Sequence, residues 1–418
     1  MELASDSVQE ISEEPPSKGF IQSVEEEKPP GKGAAAKGRF FSAIDPRDWN
    51  NWHWQFKNRI TSVEELAHYI PLSDKQQAQI RLVSLKYPLA ITPYYLSLID
   101  PCEPDDPIRQ QAVPATQELT MAGNGMEDPL AEHEHSVVPG LVHRYPDRAV
   151  MVLTDICPML CRHCTRKREW RNGSWVKTND DIGRMLDYIR AHPEVRDVII
   201  SGGDPLTLSN QRLEVVLAEL RKIRHVEIIR IGTRCPVVLP QRIDDELCSM
   251  LSKYGPIWMN THFNYPREIT PEATAACDRL LRAGIPVNNQ SVLLKGVNDT
   301  PEIQRKLCHS LLRAKVRPYY LFQCDRVQGT EHFWTPIESG VHIMEEMRGF
   351  TSGLALPTFV IDLPNGGGKI PVGPNYILGI DSEGFVVRNY QGIISHYQNP
   401  PASAGPAVPA CDSIAVQA

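Results

Sequence analysis

Cys157-Pro-Met-Leu-Cys161-Arg-His-Cys164 follows directly on the apolar run Ala149-Val-Met-Val-Leu-Thr154. A C-x-x-x-C-x-x-C cluster therefore stands where a strand gives way to a loop. Thiolates suit zinc and iron-sulfur clusters, and a structural zinc site takes four protein ligands at tetrahedral spacing. Only three cysteines are close together here, and no second C-x-x-C lies nearby. Three thiolates on a four-iron cluster leave one iron without a protein ligand, free to bind a small molecule. The pattern favours a reaction centre over an electron wire, with a zinc knuckle or plain buried thiols as the structural alternative.

Downstream of that strand the sequence keeps one rhythm of strand, loop and helix. Its strands are continuous apolar runs, the mark of a parallel sheet covered on both faces. The run 198–200 ends at Ser201-Gly-Gly-Asp204 and precedes a helix over 211–221. The runs 228–231, 257–260, 287–294 and 318–323 precede helices over 242–253, 271–282, 301–313 and 340–347. Counting the cysteine-bearing strand, six strand-helix units run in one direction. Joined by right-handed crossovers, they predict an α/β fold, an open, partial (β/α)6 barrel over residues 136–350. A helical N-terminal region and arm (39–135) precede it. A C-terminal appendix (351–398) holds the apolar run 356–361 and a hairpin at 376–388. Chemistry in such barrels gathers at the C-terminal ends of strands. The cysteines, Ser201-Gly-Gly-Asp204, Asn260-Thr-His262, Asn288-Asn-Gln290 and Gln323-Cys-Asp325 are all expected at such ends.

Composition narrows the class. The chain of 418 residues is 41% hydrophobic with a formal charge of −7, which suits a globular protein and argues against a nucleic-acid partner. No apolar run approaches membrane-spanning length, and the start Met1-Glu-Leu-Ala-Ser-Asp-Ser7 is wrong for a secretory signal, so a cytoplasmic location without a membrane partner is expected. Cys102, Cys235, Cys248, Cys277, Cys308 and Cys324 read as buried thiols of a reducing compartment rather than a disulfide framework. Residues 1–38, rich in Glu, Ser, Pro, Lys and Gly, and residues 399–418 read as disordered tails. From Phe40 onward Trp49, Trp52, Trp54 and Phe56 crowd together, and Ser62-Val-Glu-Glu65 opens a capped helix. The Pro- and Asp-rich stretch 101–134 reads as an irregular arm.

Two glycine-rich loops carry further chemistry. Gly202 and Gly203 allow backbone to approach a ligand closely, although Gly-Gly-Asp204 also suits a plain turn. The second loop is Asp362-Leu-Pro-Asn-Gly-Gly-Gly-Lys369-Ile-Pro-Val-Gly-Pro374. A P-loop would need a helix next, which Pro371 and Pro374 forbid. A glycine-flanked lysine suits a Schiff base, because it must swing aside when a substrate amine displaces it. Spacing alone leaves a flexible surface lysine equally open.

The cysteine stretch closely resembles the signature of the radical S-adenosylmethionine enzymes. Over residues 40–397 the chain carries His143-Arg-Tyr-Pro-Asp-Arg148, Thr154-Asp-Ile-Cys157, Cys161-Arg-His-Cys-Thr-Arg166 and Ser201-Gly-Gly-Asp-Pro205. Pro286-Val-Asn-Asn-Gln290, Arg317-Pro-Tyr-Tyr320, Gln323-Cys-Asp325 and Gly-Gly-Gly-Lys369 follow in order, and the set resembles the lysine 2,3-aminomutase family. The resemblance implies a radical-SAM barrel with a [4Fe-4S] cluster on Cys157, Cys161 and Cys164. It implies S-adenosylmethionine on Gly202, Gly203 and Asp204, with His262 and Gln290 at the nucleoside. It also implies pyridoxal 5′-phosphate on Lys369 of the appendix, with Tyr145 beside the ring and Arg144 and Arg148 near the phosphate. Arg166 would take the substrate carboxylate, and a guanidinium's planar fork fits such anions. By residue type alone these arginines read equally as surface ion-pair partners, and His262 and Gln290 as structural hydrogen bonders.

In the family two aspartates hold the substrate's side-chain ammonium, and Asp325 and Asp362 stand at the matching positions. Such a pair would repel an acidic side chain. Unless the aspartates merely cap loops, a cationic amino acid is expected, lysine first, with arginine or ornithine by the same logic. The implied reaction is a 1,2-amino migration that gives β-lysine (3,6-diaminohexanoate). It starts with a 5′-deoxyadenosyl radical, because the C3 hydrogen is not acidic, and it draws its electron from a flavodoxin- or ferredoxin-type donor. Arginine 2,3-aminomutase and a non-enzymatic iron-sulfur carrier are the alternatives. In the clostridial type, zinc sits between subunits on C-terminal cysteines and one in the loop that reads Asn298-Asp299-Thr300 here. This chain has Thr300 there and only Cys411 in its tail, so zinc is not expected. A homo-oligomer is expected.

Overall fold

The computed structural model describes residues 40–400, apart from 122 and 172. The expected tails lie outside this range, save Asn399 and Pro400, as does Cys411. Ten strands form one sheet whose spatial order is their chain order. An antiparallel edge, β1 (Ser136–Val138) and β2 (Leu141–Tyr145), leads into β3 (Arg148–Val152). From β3 the sheet runs parallel through β4 (Asp197–Ser201), β5 (Ile228–Gly232), β6 (Ile257–Thr261), β7 (Val287–Leu293), β8 (Arg317–Gln323) and β9 (Thr358–Leu363). β10 (Gly368–Pro371) closes the other edge, antiparallel to β9. The result is the expected α/β partial barrel, with one change of membership. The run placed in the appendix is β9, a seventh parallel strand, because Phe359 joins Ile343, Met344 and Met347 of helix Ile337–Met347 in a buried cluster. The hairpin expected at 376–388 is present as Ile377–Ile380 against Gly384–Arg388, and Ile394–Gln398 completes a separate three-stranded sheet.

Helix boundaries follow local capping. Thr270 and Thr300 each accept the backbone N–H of the third helical residue, and each is followed by proline. Helices Pro271–Arg282 and Pro301–Arg313 therefore begin where expected. The helix expected from 242 begins instead at Asp245, because Pro240–Arg242 forms a 3-10 turn and Asp244 accepts the Leu247 N–H at 2.8 Å.

Burial alternates along β4 and β5. Val198, Ile200, Ile229 and Ile231 are fully buried, whereas Ile199, Ser201, Arg230 and Gly232 line an internal cavity. Coverage on both faces, as the apolar runs suggested, is incomplete because the inner face is the wall of a site. The N-terminal helical region shares the main core through Trp49, Leu66, Ile70 and Tyr94, each buried side chain contributing about 1.5–3 kcal/mol. The arm is more ordered than its composition suggested. It forms short helices Pro107–Ala112 and Gln117–Thr120 and buries Asp106 and Glu118. Cys102, expected buried, is exposed in the turn before Asp106, its N–H held by the Asp100 side chain at 3.0 Å. The other five structural cysteines are buried. Among the described residues no helix is long and apolar enough to cross a membrane.

Candidate active site

The C-terminal ends of β3 to β7 surround a cavity of about 290 Å³. Cys157, Cys161 and Cys164 line it together with Gly202, Gly203, Asp204, His262 and Gln290. The cysteine loop is anchored from behind by a fully buried ion-pair triad. Arg162 donates to Glu118 at 2.6 and 2.9 Å and to the carbonyls of Tyr87 and Pro88, and Lys167 reaches Glu118 at 2.7 Å and the Gly329 carbonyl at 2.6 Å. Burial alone would raise the Glu118 carboxyl, but the two cations outweigh it and hold it below its ordinary value.

The donor set fits an iron-sulfur cluster. Burial, followed by the neighbouring Cys161, pushes the Cys164 thiol up to about 11, and burial with the other two cysteines pushes Cys157 well above its ordinary value. Thiols held up in this way give up their protons to a metal centre that takes up the charge. Among the described residues no His, Cys, Asp or Glu trio is grouped to hold a single metal ion. A four-iron cluster, which gives each cysteine its own iron, makes no such demand.

Gly202 and Gly203 press against the start of the cysteine loop, where the Gly203 N–H meets the Thr154 carbonyl at 2.5 Å. A Cβ on either glycine would run into the Thr154–Ile156 backbone. Asp204 lines the cavity, yet its carboxylate is taken by the Thr233 hydroxyl at 2.7 Å and the N–H groups of Arg234 (2.8 Å) and Leu206 (3.0 Å). Its side chain thus ties the loop after β4 to the loop after β5. His262 is pushed down to about 4, by burial first and then by Arg234, so it is neutral. Gln290 lies in the middle of β7 rather than at its end, and it reaches the cavity where the β7–β8 register shifts.

A second group of residues meets at the sheet's far edge. Asn365, Gly366 and Gly368 take positive φ in the turn between β9 and β10, which sets Lys369 directly opposite Asp362. The glycine run is therefore a hairpin turn rather than a free loop. Lys369 Nζ donates to Asp362 at 2.6 Å over the Phe322 ring, and its backbone N–H donates to the Tyr145 hydroxyl at 2.9 Å. Arg148 stacks on Tyr145 with its guanidinium carbon 3.9 Å from the ring centroid while pairing with Asp147 at 2.8 Å. Arg144 is half-buried, its enclosed Nε and Nη2 lack hydrogen-bond partners, and Nη2 lies near Gly368. A guanidinium with two free donors beside a lysine and a tyrosine fits a phosphate-bearing aldehyde. Asp325 completes the group. Burial first, then the Asp362 charge, pushes its carboxyl up to about 7, against the pull of Lys369.

Arg166 ties the cavity wall to the N-terminal arm, with donors to the Ser201 hydroxyl (3.2 Å) and the Gly202 carbonyl (3.0 Å). Its other nitrogens clamp Glu132 of the arm at 2.6–3.1 Å. Burial would raise Glu132, but Arg166 and Arg168 together hold it at about 2. Sequence reading missed Glu132, Glu118 and Arg234, whose partners lie far away in the chain. A local signal existed only for Arg234, a charged residue two positions beyond a strand end.

A cysteine triad on the first parallel strand of a partial barrel, beside a glycine loop on the next, defines a class. The Radical SAM superfamily model matches residues 151–305, and the chain is a radical S-adenosylmethionine enzyme with a [4Fe-4S] cluster. The model described as Lysine-2,3-aminomutase matches residues 344–415. L-lysine 2,3-aminomutase of Clostridium subterminale is 51% identical over 360 residues, 86% of each chain. L-lysine 2,3-aminomutase of Acetoanaerobium sticklandii is 51% identical over 364 residues, 87% of this chain and 88% of the relative. Glutamate 2,3-aminomutase of Clostridioides difficile is 43% identical over 355 residues, 85% of this chain and 84% of the relative. The chain belongs to the lysine 2,3-aminomutase family and is an isomerase, an aminomutase.

Proposed function

We propose that the protein converts L-lysine to β-lysine with pyridoxal 5′-phosphate carried on Lys369. The carboxylate pair Asp325 and Asp362 carries the substrate reading. Asp325 titrates near 7 because two buried carboxylates share a dry site, and Asp362 already holds the Lys369 ammonium at 2.6 Å. A substrate ammonium between them relieves the repulsion that an acidic side chain would worsen. A relative named for glutamate lies at 43% identity, so the family frame alone does not choose the substrate. The carboxylates at these two positions favour lysine.

The pyridoxal group supplies a π-system through which the amino nitrogen passes between neighbouring carbons, and the cluster with S-adenosylmethionine supplies the radical that starts the shift. The chain's own residues orient and exclude. Arg144, with its two unpartnered nitrogens, and Arg148 would hold the phosphate. Tyr145 accepts the Lys369 N–H and would stand beside the ring. Arg166 takes the substrate carboxylate beside Gly202. Neutral His262 and Gln290 face the nucleoside in the cavity. A flavodoxin- or ferredoxin-type donor, a cytoplasmic location and self-association complete the reading. The test is anaerobic reconstitution with lysine or glutamate, with the β-amino product followed by NMR. β-Lysine is expected, and turnover of glutamate with lysine untouched would overturn the assignment.

A further inference from the structure

Arg234 lies two residues beyond β5 and is 8% exposed. Its Nη1 stands 2.9 Å from the Cys161 sulfur, Nε donates to the His262 carbonyl at 3.0 Å, and Nη2 donates to Gln111 at 2.6 Å and Glu268 at 2.8 Å. Glu268 has no exposed surface. The Tyr95 hydroxyl (2.6 Å) and the N–H groups of Asn264 (2.5 Å) and Tyr265 (2.9 Å) hold it in turn. The Arg234 backbone is tied to Asp204 at 2.8 Å. The guanidinium therefore cannot turn away, and a fixed positive charge is built against one of the three cluster cysteines. Cys164, by contrast, receives a backbone N–H from Arg166 at 3.4 Å.

We infer that Arg234 is a positioning residue that sets the reduction potential of the [4Fe-4S] cluster through Cys161. Reduction takes one electron from a one-electron donor and places one more negative charge on the irons and sulfurs. A buried cation hydrogen-bonded to a ligand sulfur stabilises the reduced form more than the oxidised form. Glu268 lies behind the guanidinium and partly offsets it. Removing the cation and removing its anion therefore move the potential in opposite directions, which a purely structural ion pair would not do.

The experiment is an EPR-monitored redox titration of the anaerobically reconstituted holoenzyme, with iron content measured in parallel. At an applied potential equal to the wild-type midpoint, Arg234→Gln lowers the ratio of reduced to oxidised cluster at least tenfold, about 59 mV for a one-electron couple. Arg234→Lys keeps the charge and stays closer to wild type than Arg234→Gln. Glu268→Gln raises the ratio. Shifts of the same sign in Arg234→Gln and Glu268→Gln, or unchanged potentials with iron retained, overturn the inference. If Arg234→Gln assembles no cluster, Glu268→Gln decides, an upward shift supporting the proposal and any other result overturning it. Failure of both variants to hold iron would make the pair a scaffold element and also overturns the proposal.

Discussion

Replacing Asp325 by Asn sets stability and activity against each other. Its carboxyl is buried and titrates near 7 rather than at the ordinary 3.8. The native state therefore keeps a proton that the unfolded chain gives up, so the favourable contribution is complete below about pH 4 and is lost as pH rises through about 7. At about 1.4 kcal/mol per pH unit, the raised carboxyl costs the native state about 4 kcal/mol at pH 8, where it is ionised, and about 2 kcal/mol at pH 5, where it holds a proton that the unfolded chain releases. Asn keeps the shape and removes the charge. The variant should melt higher than wild type at pH 8, with a gain about halved at pH 5. The same change removes one of two carboxylates around a desolvated ammonium, which costs about 2–5 kcal/mol, or about thirtyfold to several thousandfold in kcat/KM for lysine. Wild-type kcat/KM should itself fall below about pH 7 as Asp325 takes up its proton. Anaerobic thermal unfolding at both pH values and steady-state kinetics read these effects. A variant that melts lower at pH 8, or turns lysine over at an unchanged rate, refutes the reasoning.

Glu118→Ala leaves Arg162 and Lys167 buried without their counter-ion, and a loss of about 3–5 kcal/mol is expected. A drop in melting temperature with reduced iron loading would show it, and a change below about 1 kcal/mol would contradict the anchoring role. Arg144→Ala should lower retention of pyridoxal phosphate after dialysis at least tenfold without destabilising the ligand-free protein, since its Nε and Nη2 have no partners to lose. Full retention would place the phosphate elsewhere.

Elements defined by neighbouring residues were legible in the sequence, and pairings across the sheet were not. Thr270-Pro271 and Thr300-Pro301 announced two helix starts because a cap and a pre-set φ act within one turn. The cysteine triad and the apolar runs are likewise local. β9 was misplaced because the run 356–361 carries no mark of its partner, and only the packing of Phe359 on helix Ile337–Met347 decides where it goes. Asp204 was read as a ligand contact, although its oxygens hold Thr233 and Arg234. Glu132 could not be read from sequence, since the Pro-rich arm looked irregular and its partner Arg166 lies beyond three intervening strands. The glycines around Lys369 left a Schiff-base lysine and a flexible surface lysine equally open, and its partnership with Asp362 depends on hairpin register.

A sheet whose spatial order repeats its chain order grows from one edge during synthesis. The thiols are in hand once β3 and β4 exist, whereas both acidic groups and the lysine arrive only with the last strands. The residues that would hold the metal centre are thus complete before those that would carry the proposed aldehyde cofactor. A chain halted between β9 and β10 would carry the three thiols and the glycine loop of a radical generator without the lysine proposed to tether what receives it.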